Sequence, residues 1–273
     1  MIGLMTDSNA QLPPLLRDRF SVGVVPLTIV IDGTAYLEGI DLNPTEFLDR
    51  MRSGAVVSTA APSPGQFVQA YCDMAASGAE RVLSIHVGGE LSSTLEAARV
   101  GAVSSPVPVE LVDTGTASFA AGCCVWAAGE ALRGGADIEE AATEARRAAA
   151  RIGNVFIVSS LDPARRGGRL VAGADAEQIP VIALEGNQMQ VVGEVGHQRA
   201  ALDVMSGYLD DWVRGGDHLR VGVGDADNAG LAELLAAGLA ERSSVVEVVR
   251  YNVGPSVAVH TGPGTVGAVW TAI

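Results

Sequence analysis

The sequence predicts an α/β fold of two lobes, with a parallel α/β sheet in the N-terminal lobe and a mixed or antiparallel sheet with helices in the C-terminal lobe. The first observation is composition: 48% of the 273 residues are hydrophobic but only 4% are aromatic. The core must therefore be built from aliphatic side chains, as in buried parallel sheets. The second observation is that short β-branched runs alternate with helical segments in the first half, which is the order of βαβ units. We expect one domain, 1–273, divided into lobes 1–153 and 154–273.

Capping and turn signals define the first elements of the chain. Asp32-Gly33 lies between two β-branched runs and predicts a hairpin. Asn43 can cap a helix whose first turn holds a proline and a glutamate that completes a capping box. Ser63 begins another helix in the same way, which places Thr59 on a strand-to-helix loop. The strands predicted here are residues 2–5, 22–25, 27–31 and 34–37, with a helix at 12–20.

The later elements continue this alternation. Gly134-Gly135 separates a buried apolar helix, residues 117–132, from an amphipathic helix at 136–151, whose acidic start and basic end suit the helix dipole. The first lobe is also predicted to contain strands at 81–86 and 107–112 and a helix at 92–100. The second lobe is predicted to contain strands at 155–158, 181–184, 188–192, 221–223 and 245–249 and helices at 199–213 and 228–241. A valine-rich strand is also predicted directly before His260.

Charge and residue usage exclude several classes of function. The formal net charge is −14, so we expect no nucleic-acid partner and at most transient contact with a membrane. All 18 basic residues are arginine, which excludes chemistry based on a lysine. The three cysteines lack metal-ligand spacing and fit a reducing compartment. With no export signal and no apolar run long enough to span a bilayer, we expect a cytoplasmic protein. No motif has the spacing of a metal site or a phosphate loop, so we expect neither a metal nor a cofactor.

Three short stretches carry the candidate site: residues 58–65, 89–94 and 259–264. Each is rich in small residues and offers a hydroxyl or imidazole donor, among them Thr59, Ser92 and His260. If the three stretches converge, they form a pocket of neutral donors with one imidazole. Such a pocket suits a carboxylate whose tail lies in an apolar tunnel. From spacing alone, helix capping is the favoured explanation of the two hydroxyls.

Polar residues also stand at the predicted strand ends: Asp7, Ser8, His86 and Asp113. In βαβ folds the edge beyond the carboxyl ends of the strands carries function. A paired-carboxylate acid/base site is one interpretation of Asp7, Ser8 and Asp113. His86, which borders the Gly88-Gly89 loop, is a weaker candidate for a functional role. Four dispersed histidines without a carboxylate cluster do not predict a metal site.

In the order of these stretches and in their residues, the chain resembles the DegV family of bacterial fatty-acid-binding proteins. The matching segments run through essentially the whole chain, at residues 7–8, 25–28, 32–33, 39–41, 58–65, 84–86, 91–92, 112–113, 156–158, 166–170 and 260–264. The resemblance implies two α/β lobes with a long-chain fatty acid between them. It also implies a subunit without its own catalytic centre, which presents the fatty-acid carboxylate to a separate ATP-binding fatty acid kinase for acyl-phosphate formation.

The resemblance also implies the site residues. The carboxylate is expected to bind at five hydroxyl or imidazole side chains: Thr59, Ser92, Ser93, His260 and Thr261. Docking of the kinase is expected at the densest positive cluster of this acidic chain: Arg165, Arg166 and Arg169. The alternatives for that cluster are help with the transferred phosphate and a solvated loop.

The chain departs from the family pattern near the expected carboxylate. Ala60 and Ala61 replace a serine and a glutamine, which removes two possible donors, and Ser93 replaces a glycine, which adds a Cβ. Two other functions remain open from the sequence. One is a serine hydrolase or esterase that uses Ser92 with His260 as base, and the other is a lipid sensor without acyl transfer.

Overall fold

The computed structural model describes residues 1–158, 178–185, 188–214 and 216–273. The described elements up to residue 158 are β1 (Ile2–Asp7), α1 (Pro14–Phe20), β2 (Gly23–Val25), β3 (Thr28–Ile31), β4 (Thr34–Leu37), α2 (Pro44–Arg52), β5 (Val57–Ala60), α3 (Pro64–Ala76), β6 (Arg81–His86), α4 (Thr94–Ala102), β7 (Val109–Asp113), α5 (Phe119–Arg133), α6 (Ile138–Ala149) and β8 (Ile152–Ile157). Those that follow are β9 (Ile179–Glu185), β10 (Gln188–Val195), α7 (Ala201–Trp212), β11 (Leu219–Asp225), α8 (Ala229–Ala240), β12 (Val245–Asn252), α9 (Pro255–Thr261) and β13 (Val266–Ala272).

The chain forms two compact units, which are not two continuous stretches. The first unit contains Met1–Leu42 and Val57–Arg151, and the second contains Asn43–Val56 and Ile152–Ile273. The lobes expected from the sequence, 1–153 and 154–273, left the Asn43–Val56 segment in the first lobe. In the structure α2 contacts α9, and Arg52 of α2 forms an ion pair with Asp227. These contacts assign the segment to the second unit.

The first unit is built on a four-stranded parallel sheet in the order β2-β1-β6-β7. All of its pairings are parallel, so the carboxyl ends of its strands meet at one edge. On one face, a core that includes Met5 of β1 and Phe67 and Tyr71 of α3 packs the sheet against α3 and α4. The helix α5 contacts β1 and β6 and buries ten of its residues, which confirms the predicted buried helix.

A second, three-stranded antiparallel sheet of the first unit has the order β4-β3-β5. The predicted hairpin joins β3 to β4, with Ile31 paired to Thr34. Asp32 and Gly33 both have positive φ, 49° and 83°, as the two central residues of a type I′ turn require. The strand β5 pairs with the other side of β3, which sets Thr59 opposite Ile29.

The second unit contains a mixed six-stranded sheet in the order β10-β9-β8-β13-β11-β12. Only β11 and β12, which α8 connects, pair in parallel among these strands; the other pairings are antiparallel. The predicted fold class is therefore confirmed, with a parallel sheet in one unit and a mixed sheet with helices in the other. No helix of the described chain is long and apolar enough to cross a membrane.

Two elements near the C-terminus differ from the sequence prediction. The strand β13, which the sequence analysis missed, lies between β8 and β11 and is buried along its whole length. The segment before His260 was predicted to be a strand because it is rich in valine, but it forms the helix α9. Pro255 occupies its first turn and Ala258 is buried in it, so that a proline suited to the first turn and the packing of the helix outweigh the β propensity of valine.

Candidate functional site

Polar side chains lie at the carboxyl edge of the parallel sheet, as the sequence predicted. Asp7, His86 and Asp113 are the last residues of β1, β6 and β7, and His86 pairs directly with Asp113 in the sheet. Ser8 follows β1, donates to the Glu38 carboxylate at 2.5 Å and accepts from the backbone N–H of the residue at position 27. The side chains at this edge therefore bond to one another or to backbone.

A buried hydrogen-bonded chain joins β1, β6 and α3. Asp7 Oδ2 lies 2.9 Å from His86 Nδ1, His86 Nε2 lies 2.7 Å from Ser84 Oγ, and Ser84 Oγ lies 3.2 Å from the hydroxyl of Tyr71. All four side chains are fully buried. Burial raises the pKa of Tyr71 to about 12, so that its hydroxyl keeps its proton near neutral pH.

One assignment of donors and acceptors satisfies all four side chains in this series of hydrogen bonds. The Tyr71 hydroxyl donates to Ser84, the Ser84 hydroxyl donates to His86 Nε2, and His86 Nδ1–H donates to Asp7. This order of serine, histidine and aspartate is also that of a hydrolase triad. Here, however, the serine is fully buried beneath a tyrosine hydroxyl, so that no substrate can reach it. These hydrogen bonds hold β1, β6 and α3 together and do not present a nucleophile.

Two loops at this edge are bonded together by Asp113 and by a close backbone approach. Asp113 Oδ1 accepts from the backbone N–H groups of Gly89, at 3.1 Å, and Gly115, at 2.9 Å. The Gly88 N–H donates to the Thr116 carbonyl at 2.8 Å. A Cβ on Gly88 would lie only 2.8 Å from the carbonyl carbon of Gly115. Only a glycine therefore permits this contact between the loops.

Ser92 and Ser93 follow these loops and precede α4. Ser92 Oγ accepts from the Thr94 backbone N–H at 3.2 Å and lies 2.8 Å from Thr94 Oγ1. The helix begins at Thr94 rather than at Ser92, and Ser93, its N-cap, makes no capping bond with its side chain. Ser92 is half-buried and Ser93 is exposed.

A pocket of about 540 Å³ adjoins these serines. It is lined by Gly89, Glu90, Leu91, Ser92, Ser93, Leu95, Glu96, Arg99 and Asp113. The Arg99 guanidinium pairs with Glu96 at 2.6 Å, so that two of its charged side chains neutralise each other. The pocket brings Ser92 and Ser93 together with the Asp113 edge of the parallel sheet.

The sequence predicted Thr59 on a loop, but the structure places it within β5. It is exposed there and pairs through its backbone with Ile29. The loop begins after Ala60 and ends at Ser63, whose capping box with Gln66 starts α3 as predicted. The edge pairing with β3, which involves residues distant in sequence, extends the strand beyond the point that the local pattern indicates.

His260 and Thr261 end α9 in the second unit. The following turn is closed by Thr265, whose hydroxyl donates to the Thr261 carbonyl at 3.1 Å and to the Gly262 carbonyl at 2.8 Å. His260 is half-buried. Thr261 Oγ1 is buried and has no hydrogen-bond partner among the residues that the structure describes. A buried hydroxyl of this kind calls for a partner.

Sequence reasoning missed an ion pair at the carboxyl end of β11. Asp225 is buried, pairs with Arg250 at 2.6 Å and accepts from the Asn228 N–H at 3.0 Å. The next residue of the loop, Ala226, exchanges backbone bonds with the turn that follows Thr261, namely with residues 264 and 265. The clue in the sequence was the polar run Asp-Ala-Asp-Asn, which begins two residues after the end of a predicted strand.

The expected docking residues Arg165, Arg166 and Arg169 lie outside the described residues. Within the described part of the chain, no group of three or more histidine, cysteine, aspartate or glutamate side chains could hold a metal ion. The donors of the candidate site are hydroxyl and imidazole groups, which bind an anionic oxygen by hydrogen bonds.

Comparison with known proteins gives the family. The model of the DegV family, described as an uncharacterised protein family, matches residues 1–272. The chain belongs to the DegV family. A DegV domain-containing protein of Streptomyces coelicolor is 33% identical over 98% of this chain and 97% of its own length. One from Deinococcus radiodurans is 31% identical, with 97% of this chain and 96% of the relative covered.

Solved structures of DegV proteins are similar over the whole chain. A fatty-acid-binding DegV family protein from Thermus thermophilus has a TM-score of 0.89 and 30% identity, with 100% of this chain and 99% of the other covered. A DegV lipid-binding protein from Thermotoga maritima has a TM-score of 0.88 and 26% identity, with 100% and 98% covered. DegV structures bind fatty acids, and the fold described above is theirs.

Proposed function

We propose that this DegV protein binds a long-chain fatty acid. The observation that carries the proposal is its similarity, over the full length of both chains, to the fatty-acid-binding protein of Thermus thermophilus. Burial of some 14 methylenes at about 0.8 kcal/mol each would contribute on the order of 11 kcal/mol before the costs of binding. A ligand of this kind would be held tightly.

We propose that five side chains bind the fatty-acid carboxylate: Thr59, Ser92, Ser93, His260 and Thr261. The buried Thr261 hydroxyl supports this assignment, since an unsatisfied buried donor costs about 1–3 kcal/mol and a carboxylate oxygen would satisfy it. Ser92 supports it as well. When the Thr94 hydroxyl donates to Ser92 Oγ, the Ser92 O–H is left to donate to a ligand.

We further propose that the chain has no catalytic centre of its own and presents the carboxylate to a separate ATP-dependent fatty acid kinase. The family resemblance of the sequence motifs supports this role. The arginines at 165, 166 and 169 would dock the kinase, since they are the densest positive cluster in a chain of net charge −14. Three free cysteines suit the reducing cytoplasm, where we propose that the protein acts.

Two measurements on the purified protein test the proposal. Lipid extraction followed by mass spectrometry should find a long-chain fatty acid in stoichiometric amount, and its absence, together with failure to bind added palmitate, would refute fatty-acid binding. Addition of a fatty acid kinase and ATP should then produce acyl phosphate. A ligand-loaded protein that gives none would retain the binding function and refute the kinase role.

A serine pair tests the carboxylate site. Ser92→Ala should weaken palmitate binding roughly 10- to 150-fold, because a hydrogen bond to a charged group contributes about 1.5–3 kcal/mol. Ser105→Ala is the matched control, since Ser105 is a partly buried serine that bonds only locally, to Val107, before β7 begins. It should leave the affinity unchanged. Equal affinities of the two variants would remove Ser92 from the site.

A further inference from the structure

The backbone between β6 and α4 is fixed almost residue by residue. Thr114 donates to the His86 carbonyl from its N–H at 3.2 Å and from its hydroxyl at 2.8 Å. The Val87 N–H donates to Asp7 Oδ2 at 3.1 Å, and the next two N–H groups are held by Thr116 and Asp113. The N–H of Ser92 then donates to the carbonyl at position 88 at 3.1 Å. The position of the Ser92 hydroxyl therefore depends on this run of bonds.

Asp7 stands at the start of the run. Its carboxylate accepts three hydrogen bonds: Oδ1 from the N–H of Asn9 at 3.1 Å, and Oδ2 from the Val87 N–H at 3.1 Å and from His86 Nδ1 at 2.9 Å. Two of these donors belong to the end of β6 and one to the loop after β1. A fully buried carboxylate thus ties together two strand ends that are about 80 residues apart in the sequence.

Stability alone does not account for this arrangement. A buried carboxylate with its hydrogen-bond partners rarely stabilises a fold more than apolar residues of the same volume would. His86 is nevertheless fully buried against Phe67, edge to face at 5.1 Å between ring centroids. What the pair does provide is a fixed geometry for the backbone at Val87, which apolar side chains cannot supply because they accept no hydrogen bond.

We infer that Asp7 and His86 are positioning residues for the Ser92 hydroxyl. The inference rests on the proposed function, since it assigns Ser92 to the fatty-acid carboxylate. Asp7 acts through the bond to Val87, and His86 holds the Asp7 carboxylate in place. Both side chains are fully buried, and the polar atoms of each already bond to protein partners, so that they act through the backbone rather than on the ligand.

The first test is a double-mutant cycle with palmitate affinity as readout. Asp7→Leu removes both acceptor oxygens, so that the Val87 N–H and His86 Nδ1–H lose their partner at this position. We expect affinity to fall about tenfold, and we expect this loss to vanish in a Ser92→Ala background, because both changes act on one hydroxyl. A full additional loss in that background, or no loss in the single variant, would overturn the inference.

A core substitution on the same strand is the control for stability. Val82 is fully buried in β6 at the end away from the loop, and Val82→Ala should lower the melting temperature without changing palmitate affinity at a temperature where the variant is folded. If Val82→Ala weakened binding as much as Asp7→Leu, general destabilisation would explain both and the positioning role would be refuted.

A second experiment requires neither the ligand nor the Asp7 variant. Amide hydrogen exchange at Gly89 and Ser92 should accelerate about tenfold or more in His86→Leu but stay near the wild-type rate in His86→Asn, whose amide can still donate to Asp7. Equal exchange in both variants would overturn the inference. Wild-type protein that binds no palmitate would refute the proposed function instead, and the exchange result would still decide whether the pair holds the loop.

Discussion

Gly88→Ala tests the contact between the two loops at the carboxyl edge of the parallel sheet. The added Cβ would lie 2.8 Å from the Gly115 carbonyl carbon and 2.9 Å from both its Cα and the Thr116 nitrogen. Because ordinary contacts begin near 3.4 Å, the loops must part by about 0.6 Å. All three atoms belong to backbone, so that no side chain can move aside.

The magnitude follows from three effects. Overpacking costs about 1–3 kcal/mol, and the hydrogen bond from Gly88 to the Thr116 carbonyl, now 2.8 Å, loses about 1 kcal/mol as it lengthens. Replacing glycine recovers about 0.4–1 kcal/mol through the unfolded chain. The net loss of unfolding free energy is about 2 kcal/mol, which lowers the melting temperature by roughly 4–8 °C.

The neighbouring glycine provides the control. A Cβ on Gly89 would meet Asp113 Oδ2 at 3.1 Å and Leu95 Cδ2 at 3.4 Å, which are ends of movable side chains. Gly89→Ala should therefore change the unfolding free energy by no more than about 0.5 kcal/mol. Urea unfolding followed by circular dichroism measures both. Equal stability of the two variants would show that the loops do not touch at Gly88, and the argument for this edge would fail.

Two further predictions concern the backbone of Ser118 and the buried hydroxyl of Tyr71. Ser118 has φ 60° and ψ −155°, a conformation that only glycine adopts without strain of about 1–3 kcal/mol. Ser118→Gly should therefore raise the melting temperature by about 2–4 °C after its own entropic cost, whereas Ser118→Ala should not, and equal melting temperatures would contradict the strain. Because burial raises the pKa of Tyr71 to about 12 from about 10 in the unfolded chain, its contribution to stability is present below pH 10 and is lost as the pH rises through 12. Tyr71→Phe should flatten the loss of unfolding free energy between pH 10 and 12, and unchanged slopes in denaturant titrations would contradict this.

Local signals in the sequence determined the helix caps and turns, whose hydrogen bonds join residues only a few positions apart. The capping box at Ser63 formed as the glutamine three residues later predicts. The predicted amphipathic helix α6 also begins with a capping box, between Asp137 and Glu140, which the sequence analysis did not name. Asn43 also caps its helix, but Glu46 does not complete the box and pairs with Arg50 instead, at 2.5 Å. A nearby arginine competes for the same carboxylate, and the sequence pattern does not decide between the two partners.

The family was also determined from the sequence, because several short motifs occur in the same order along the chain. The comparison over residues 1–272 confirms it. The roles of Thr59, Ser92 and His260 at the carboxylate stay predictions. The structure corrects only their local setting: Thr59 lies in a strand and His260 in a helix.

Contacts between residues distant in the chain decided the rest. The buried hydrogen bonds that link Asp7, His86, Ser84 and Tyr71 depend on the parallel pairing of β1 with β6, which no local pattern reveals. The position of β13 at the centre of the mixed sheet is likewise set by its partners on both sides. Short-range capping and turn bonds are encoded within a few residues, whereas strand order, burial and the pairing of buried polar groups arise only when the whole unit packs.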